Sequence, residues 1–202
     1  MKKIIICILV FSPLFLFAQF GVKAGLNFAN ITNANEINAS SRTGFHVGLF
    51  MAGSSKSIFS SRTELLYSRQ GYNFSTHVNG KVELDYLMLP QFMAINITKF
   101  VQLQVGAQIA YLLNAKVDST ASTGNPTADN ILKFYKRFDY GLGGGIEVHP
   151  INALLVGVRL NLSFGQLYKE PEPGEEYSFI PDINAKNNLF QIYAGYKFGK
   201  AE

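Results

Sequence analysis

Tryptophan is absent and cysteine occurs once, at Cys7. A lone thiol makes no internal disulfide and no cysteine-based metal cluster. Charged residues are scarce at 16%, while hydrophobic residues reach 48%, so a disordered chain is excluded. The Ala/Leu/Glu/Lys mixture of long helices is also thin. Gly 18, Phe 17 and Tyr 10 in 202 residues favour strands and turns instead. After residue 18 no apolar run approaches the roughly 20 residues of a spanning helix, so any membrane role must use strands.

The exception is the first segment. Met1-Lys2-Lys3 is basic, Ile4 to Phe17 is apolar apart from Ser12 and Pro13, and Ala18-Gln19 follows. Short, proline-interrupted and preceded by lysines, it reads as a secretory signal peptide over residues 1–18, with a single domain over 19–202. Leu16 is an imperfect residue three places before the cut, and Cys7 lies inside the run rather than at its end, which argues against lipid attachment. Losing Lys2 and Lys3 lowers the basic count from 18 to 16 against 14 acids, a formal charge of +2. That small excess removes the main motive for nucleic-acid binding.

From Gln19 onward apolar residues recur at every second position in eight segments, the period of a two-faced strand. Phe20, Val22, Ala24, Leu26 and Phe28 alternate with Gly21, Lys23, Gly25 and Asn27 in the first. Val101 to Leu113 alternates with Gln102, Gln104, Gly106, Gln108 and Asn114 in the fifth. Phe50 and Leu66 break the alternation of the second and third. The fourth, Val82 to Ile97, is apolar on both sides, and Val82, Leu84, Tyr86, Met88 and Phe92 are taken as its outward face. Pro90 within it predicts a bulge or irregularity. Double-faced apolarity also raises a contact of Met88 and Phe92 with another membrane protein.

Connections after the second, fourth and sixth segments are short. Those at Asn30–Ser41, Asn73–Gly80, Lys116–Lys136 and Gly165–Asn187 are longer and polar, with Asn79-Gly80 expected at a hairpin tip. An even strand number with short turns at one end and long loops at the other is the pattern of an outer-membrane barrel. Strands of ten or eleven residues, tilted, rise roughly 25 Å, the height of the apolar band. The fold class expected is therefore all-β: an eight-stranded antiparallel transmembrane β-barrel with short periplasmic turns and long extracellular loops. Phe28, Phe45, Tyr67, Tyr86, Tyr111, Tyr140, Phe164 and Phe190 fall near the long-loop end and suit an aromatic girdle. The opposite rim is marked by Phe20, Phe59 and Phe198.

The leader ending in Ala18-Gln19, GVKAGLNFAN (21–30), ELLYSRQGY (64–72), DYLMLPQF (85–92), FDYGLGGGIEV (138–148) and IYAGYKF (192–198) together resemble the PorT-like outer-membrane β-barrel family of Bacteroidota. The resemblance implies the barrel fold over nearly all of the mature chain and a proline in the fourth strand. It implies no catalytic motif and no particular activity.

The inward polar face holds Lys23, Arg62, Glu64, Asp85, Asp139, Glu147, Arg159 and Lys197. Four charges of each sign in a lumen only wide enough for side chains read as a salt-bridged internal plug. A narrow ion path is the transport alternative. His46, Ser68, Asp85 and Asp139, near the long-loop rim, are the components a lipid-modifying barrel enzyme would need, though no spacing motif joins them. Glu170, Glu172, Glu175 and Glu176 could bridge divalent ions to lipopolysaccharide, or simply keep a loop solvated. His77 and His149 fall in connections at opposite ends, so a histidine metal site is not expected. Gly143-Gly144-Gly145 lacks the Lys-Ser/Thr of a phosphate loop and reads as strand. No cofactor is expected, and no enzyme activity. Partners expected are outer-membrane lipid and lipopolysaccharide, with a membrane-protein or surface partner at the loops. A soluble lipocalin-like barrel would need the opposite face inward.

Overall fold

In the computed structural model, residues 19–32, 39–53, 57–75, 79–119, 132–151, 153–169 and 185–198 are described. Residues 1–18, expected to be a leader, His77 and the Glu170–Glu176 segment lie outside them. Eight strands follow in chain order: β1 (Gln19–Thr32), β2 (Ser40–Ala52), β3 (Phe59–Ser75), β4 (Asn79–Asn96), β5 (Val101–Ser119), β6 (Phe138–Ile151), β7 (Leu154–Ser163) and β8 (Lys186–Phe198). Each pairs antiparallel with its neighbours, and β8 returns to β1, from Phe20↔Phe198 to Thr32↔Lys186, so the sheet closes into a barrel with no open edge around the ring.

The alternation decides what faces where. Leu26, Val47, Leu49, Leu103, Val105, Ile109, Leu142, Ile146, Leu160 and Ile192 are exposed on the outer wall. Lys23, Asn27, Arg62, Glu64, Gln104, Glu147, Arg159 and Gln191 are buried inside. A soluble barrel has the reverse arrangement, since exposed apolar surface on this scale is costly in water. The lipocalin-like alternative is thereby corrected.

Strand lengths depart from the even ten or eleven residues expected. β7 has 10, but β3, β4 and β5 have 17, 18 and 19. At ~3.3 Å per residue and a tilt near 45°, these three rise about 40 Å and overshoot an apolar band of about 25 Å. They form a wall standing outside the membrane. The expected long loop over Asn73–Gly80 is therefore mostly strand. Phe74↔Gly80 and Ser75↔Asn79 pair, so Asn79-Gly80 lies below the hairpin tip rather than at it.

β4 is the main correction. Val82, Leu84, Tyr86, Met88 and Phe92 are buried in the interior, and Leu87, Leu89 and Met93 are exposed on the outer wall. Its two apolar faces thus have separate uses, one filling the barrel and one facing lipid, and Met88 and Phe92 cannot be an external contact. At Pro90 the ladder to β3 lapses between Thr63↔Gln91 and Leu66↔Met88 and resumes in the same register, as expected of a residue without an N–H. The register shift itself lies at Asp85/Tyr86 against β5, where Asp85 pairs with Asn114 and Tyr86 with Leu112. In β6, a Cβ on Gly143 would stand 2.3 Å from the Asn161 side chain and 3.0 Å from the Phe92 ring, so this glycine makes room for large lumen neighbours.

Candidate functional site: the filled lumen and its outer cap

The interior is stratified along the axis. Nearest the short-turn end, Lys197 Nζ donates to His149 Nδ1 at 2.9 Å, and His149 Nε2 lies 2.9 Å from Glu147 Oε1. His149, expected in a turn, is inside the lumen because β6 runs on to Ile151. Arg62 grips Glu147 with both terminal nitrogens, at 2.9 and 2.7 Å. One layer outward, Arg159 makes the same two-pronged contact with Glu64, at 2.7 and 2.8 Å, and Lys23 adds a second cation to Glu64 at 2.9 Å. Gln104 stitches the two layers together, donating from Nε2 to Glu147 at 3.1 Å and accepting at Oε1 from Arg159 at 2.6 Å, and Tyr193 Oη also donates to Glu147 at 3.2 Å. Forked guanidinium–carboxylate pairs are geometrically demanding, so they fix the angular positions of β3, β6 and β7 around the axis.

The charge balance differs from the four-to-four expected. Asp85, at the irregular register, points away from the lumen to Arg69 on the outer wall, 2.7 Å from its Nε. Asp139 sits at the rim, accepting from the Ser163 hydroxyl at 2.6 Å. The deep lumen therefore sets Lys23, Arg62, Arg159 and Lys197 against only Glu64 and Glu147. Aromatic faces offset part of the excess. Lys23 lies 3.6 Å over the Tyr193 ring, Arg62 4.7 Å over Phe50 and Arg159 4.0 Å over Phe92. Phe50 and Phe92, which obscured the alternation in the sequence, are thus partners of the buried arginines.

Above the charges lies an amide layer. Asn27 donates to Ser68 Oγ at 2.9 Å, and its Oδ1 accepts from His46 Nδ1 at 2.8 Å and Gln191 at 3.0 Å. His46 is thereby held with its proton on Nδ1, and its Nε2 is buried without a partner. Ser68, His46 and Asp139 are not assembled as nucleophile, base and orienting acid. The Ser68 hydroxyl is bound by Asn27 and Gln70, and Asp85 lies on the other side of the wall. No group of three or more metal-ligating side chains occurs among the described residues.

Outermost, the interior turns apolar. Ile31, Leu84, Tyr86, Met88, Leu112, Leu132, Leu167 and Leu189 form one buried cluster. Two chain segments beyond the ring close over it, joined by an isolated bridge between Tyr135 and Tyr168. The Tyr72 hydroxyl lies 2.9 Å from that of Tyr135 and 2.5 Å from that of Tyr168. Burial raises the Tyr135 phenol well above its ordinary range and pushes that of Tyr168 up to about 12.

Of the girdle residues, Phe45, Tyr111, Tyr140, Phe164 and Phe190 are exposed on the outer wall, and Phe28 and Tyr67 are partly so. Neighbouring rings meet across strands: Phe28–Phe190 and Phe45–Tyr67 at 6.1 Å, and Tyr140–Phe164 at 6.4 Å. Tyr86 is the exception. It is 1% exposed, inside the lumen, and Leu87 takes the outward place on β4.

A closed eight-stranded ring with a lipid-suited outer wall, an aromatic belt and a filled polar interior defines a small outer-membrane β-barrel. The chain belongs to the outer membrane protein beta-barrel domain family, whose match spans residues 12–169. No curated protein matches the sequence. Among solved structures it is similar to Ail of Yersinia pestis, the attachment invasion locus protein, in complex with the heparin analogue sucrose octasulfate, at 14% identity and a TM-score of 0.50 over 91% of this chain and 100% of that one. It is also similar to Neisserial surface protein A, at 12% identity and a TM-score of 0.51 over 90% and 99% of the two chains. Likeness at that identity speaks to the fold alone.

Proposed function

We propose that the protein acts through its outer surface, in surface interaction, envelope integrity or as an accessory to transport or secretion, and not as a conduit. The supporting observation is the filled lumen: Arg62, Glu64, Glu147 and Arg159 are each at most 1% exposed and bonded across the axis. An apolar cap sits in series with that plug. The supporting wall of β3, β4 and β5 stands outside the band and presents the loops to partners. On this reading residues 1–18 direct export and are removed, the lineage is the PorT-like one of Bacteroidota, and the surroundings are outer-membrane lipid and lipopolysaccharide. The rim residues then pack and do not catalyse. Recording current across planar bilayers tests the central point. Purified protein should insert without giving steady channel steps, and a reproducible open channel in the native chain would overturn the reading in favour of a narrow pore.

A further inference from the structure

Between the girdle and the short-turn rim the outer wall faces hydrocarbon. On β1, β2, β5, β6, β7 and β8 every outward position in that band is aliphatic, aromatic or glycine. The exceptions lie side by side on β3 and β4, where Ser61 and Gln91 are exposed and Thr63 is half-buried. Thr63 pairs with Gln91, and Gln91 with Ala107 on β5. Ala107 stands four residues below the girdle residue Tyr111 and six above Val101, where β5 begins. At ~3.3 Å per residue and a tilt near 45°, this row lies about 9 Å inside the girdle and about 14 Å from the start of β5, within the apolar band.

At that depth a primary amide has no water to bond. The Thr63 hydroxyl donates to Gln91 Oε1 at 2.5 Å, which satisfies one lone pair. Gln91 Nε2 makes no hydrogen bond among the described residues, so two N–H donors face lipid chains that offer no acceptor. Strand pairing is thin at the same place, because the β3–β4 ladder lapses at Pro90. A polar group kept in this layer marks a contact rather than a lipid-facing site.

We propose that this wall, in a protein resident in the outer membrane, is where a second copy of the chain docks, as a twofold dimer with Gln91 against Gln91. Two copies inserted the same way up carry Gln91 at the same depth, so a twofold axis along the membrane normal brings amide to amide. Each Nε2 then donates to the other copy's Oε1, whose second lone pair is free of Thr63. An amide is its own complement, whereas an unrelated barrel would need a polar group set at the matching height. Ser61, Thr63 and Ala107 are small and let the two walls approach, and Leu65, Leu89 and Met93 are exposed around them to pack.

The test places single cysteines in the chain from Gln19 onward, which has none of its own. Met93→Cys, beside Gln91, and Ile192→Cys, on the opposite wall, are reconstituted in phosphatidylethanolamine and phosphatidylglycerol vesicles at rising protein density and treated with a short bismaleimide. Met93→Cys should give a dimer band, and Ile192→Cys only the background of random collision. Adding Gln91→Leu, which makes the band apolar and leaves the lumen untouched, should weaken the apparent self-association of Met93→Cys roughly tenfold. Equal yields from the two walls, or a yield that Gln91→Leu leaves unchanged, would overturn the proposal. In isolated outer membranes the same reagent should again trap the homodimer, and an adduct with a different protein in its place would overturn the assignment to a second copy. A boiling-dependent gel shift shows that every variant is folded. Loss of that shift in the native chain would instead strike at the membrane reading itself.

Discussion

At the scale of single residues the lumen shows why buried charge is kept in sets. Arg62 and Glu147 satisfy each other through two bonds, with the Phe50 ring on one side. Removing one partner leaves an uncompensated charge. Glu147→Gln is expected to destabilise the barrel by about 3–5 kcal/mol, whereas the double change Arg62→Met/Glu147→Leu should recover most of the loss. Reversible urea unfolding in lipid vesicles reads both, and additive losses in the double variant would contradict the pairing. The tyrosine cap behaves differently. The folded-state phenols of Tyr135 and Tyr168 are raised by burial, so their proton is held more tightly in the closed cap than in an open one. Cap stability from them is full below the ordinary phenol range near pH 10 and is lost as pH rises through about 12. Tyrosinate absorbance should therefore show a late-titrating group of phenols, and Tyr72→Phe, which removes a hydrogen bond that lowers both, should shift Tyr135 and Tyr168 toward still higher pH; the same titration in both chains would remove the hydroxyl cluster from the account.

At the scale of elements β4 carries the main lesson. Its outward face is Leu87, Leu89 and Met93, and its inward face is Tyr86, Met88 and Phe92. Single cysteines at 87 and 89 with a fluorescent label should be quenched by brominated lipid, while labels at 88 and 92 should be shielded or should prevent folding. The reverse pattern would restore the opposite face. Seven strands were legible in the sequence because one face was polar. In β4 neither was, so periodicity could not distinguish lipid-facing from lumen-filling residues. Tyr86 fitted the girdle by type, and Asp85 fitted the lumen by parity. The deciding information is nonlocal. Arg69↔Asp85 and Ser68↔Tyr86 are pairs across β3, and register with a neighbour cannot be read from one segment. A weak signal did exist, since Phe50, Leu66 and a second apolar face on β4 all departed from the polar-inside pattern, and Phe50 and Leu66 share the interior with Leu84, Tyr86, Met88 and Phe92. Loop ends were misjudged for a related reason: the polar residues near Asn73 and Asn79 pair above the membrane, where water accepts a polar outer face.

At the scale of the whole molecule three materials are stacked inside one ring. Ion pairs occupy the short-turn half, amides the middle and an apolar, tyrosine-closed cap the outer end. Outside, the order is apolar band, aromatic belt and charged wall, which is the order of environments from the bilayer to water. The account rests on the polar face being inside and the apolar face being turned to lipid. Gel mobility of the detergent-extracted chain, boiled and unboiled, with circular dichroism on the same sample, tests that most directly. The account predicts a fast-migrating unboiled band, a strand spectrum and dependence on detergent for solubility. A chain that stays soluble without detergent and migrates identically before and after boiling would contradict it.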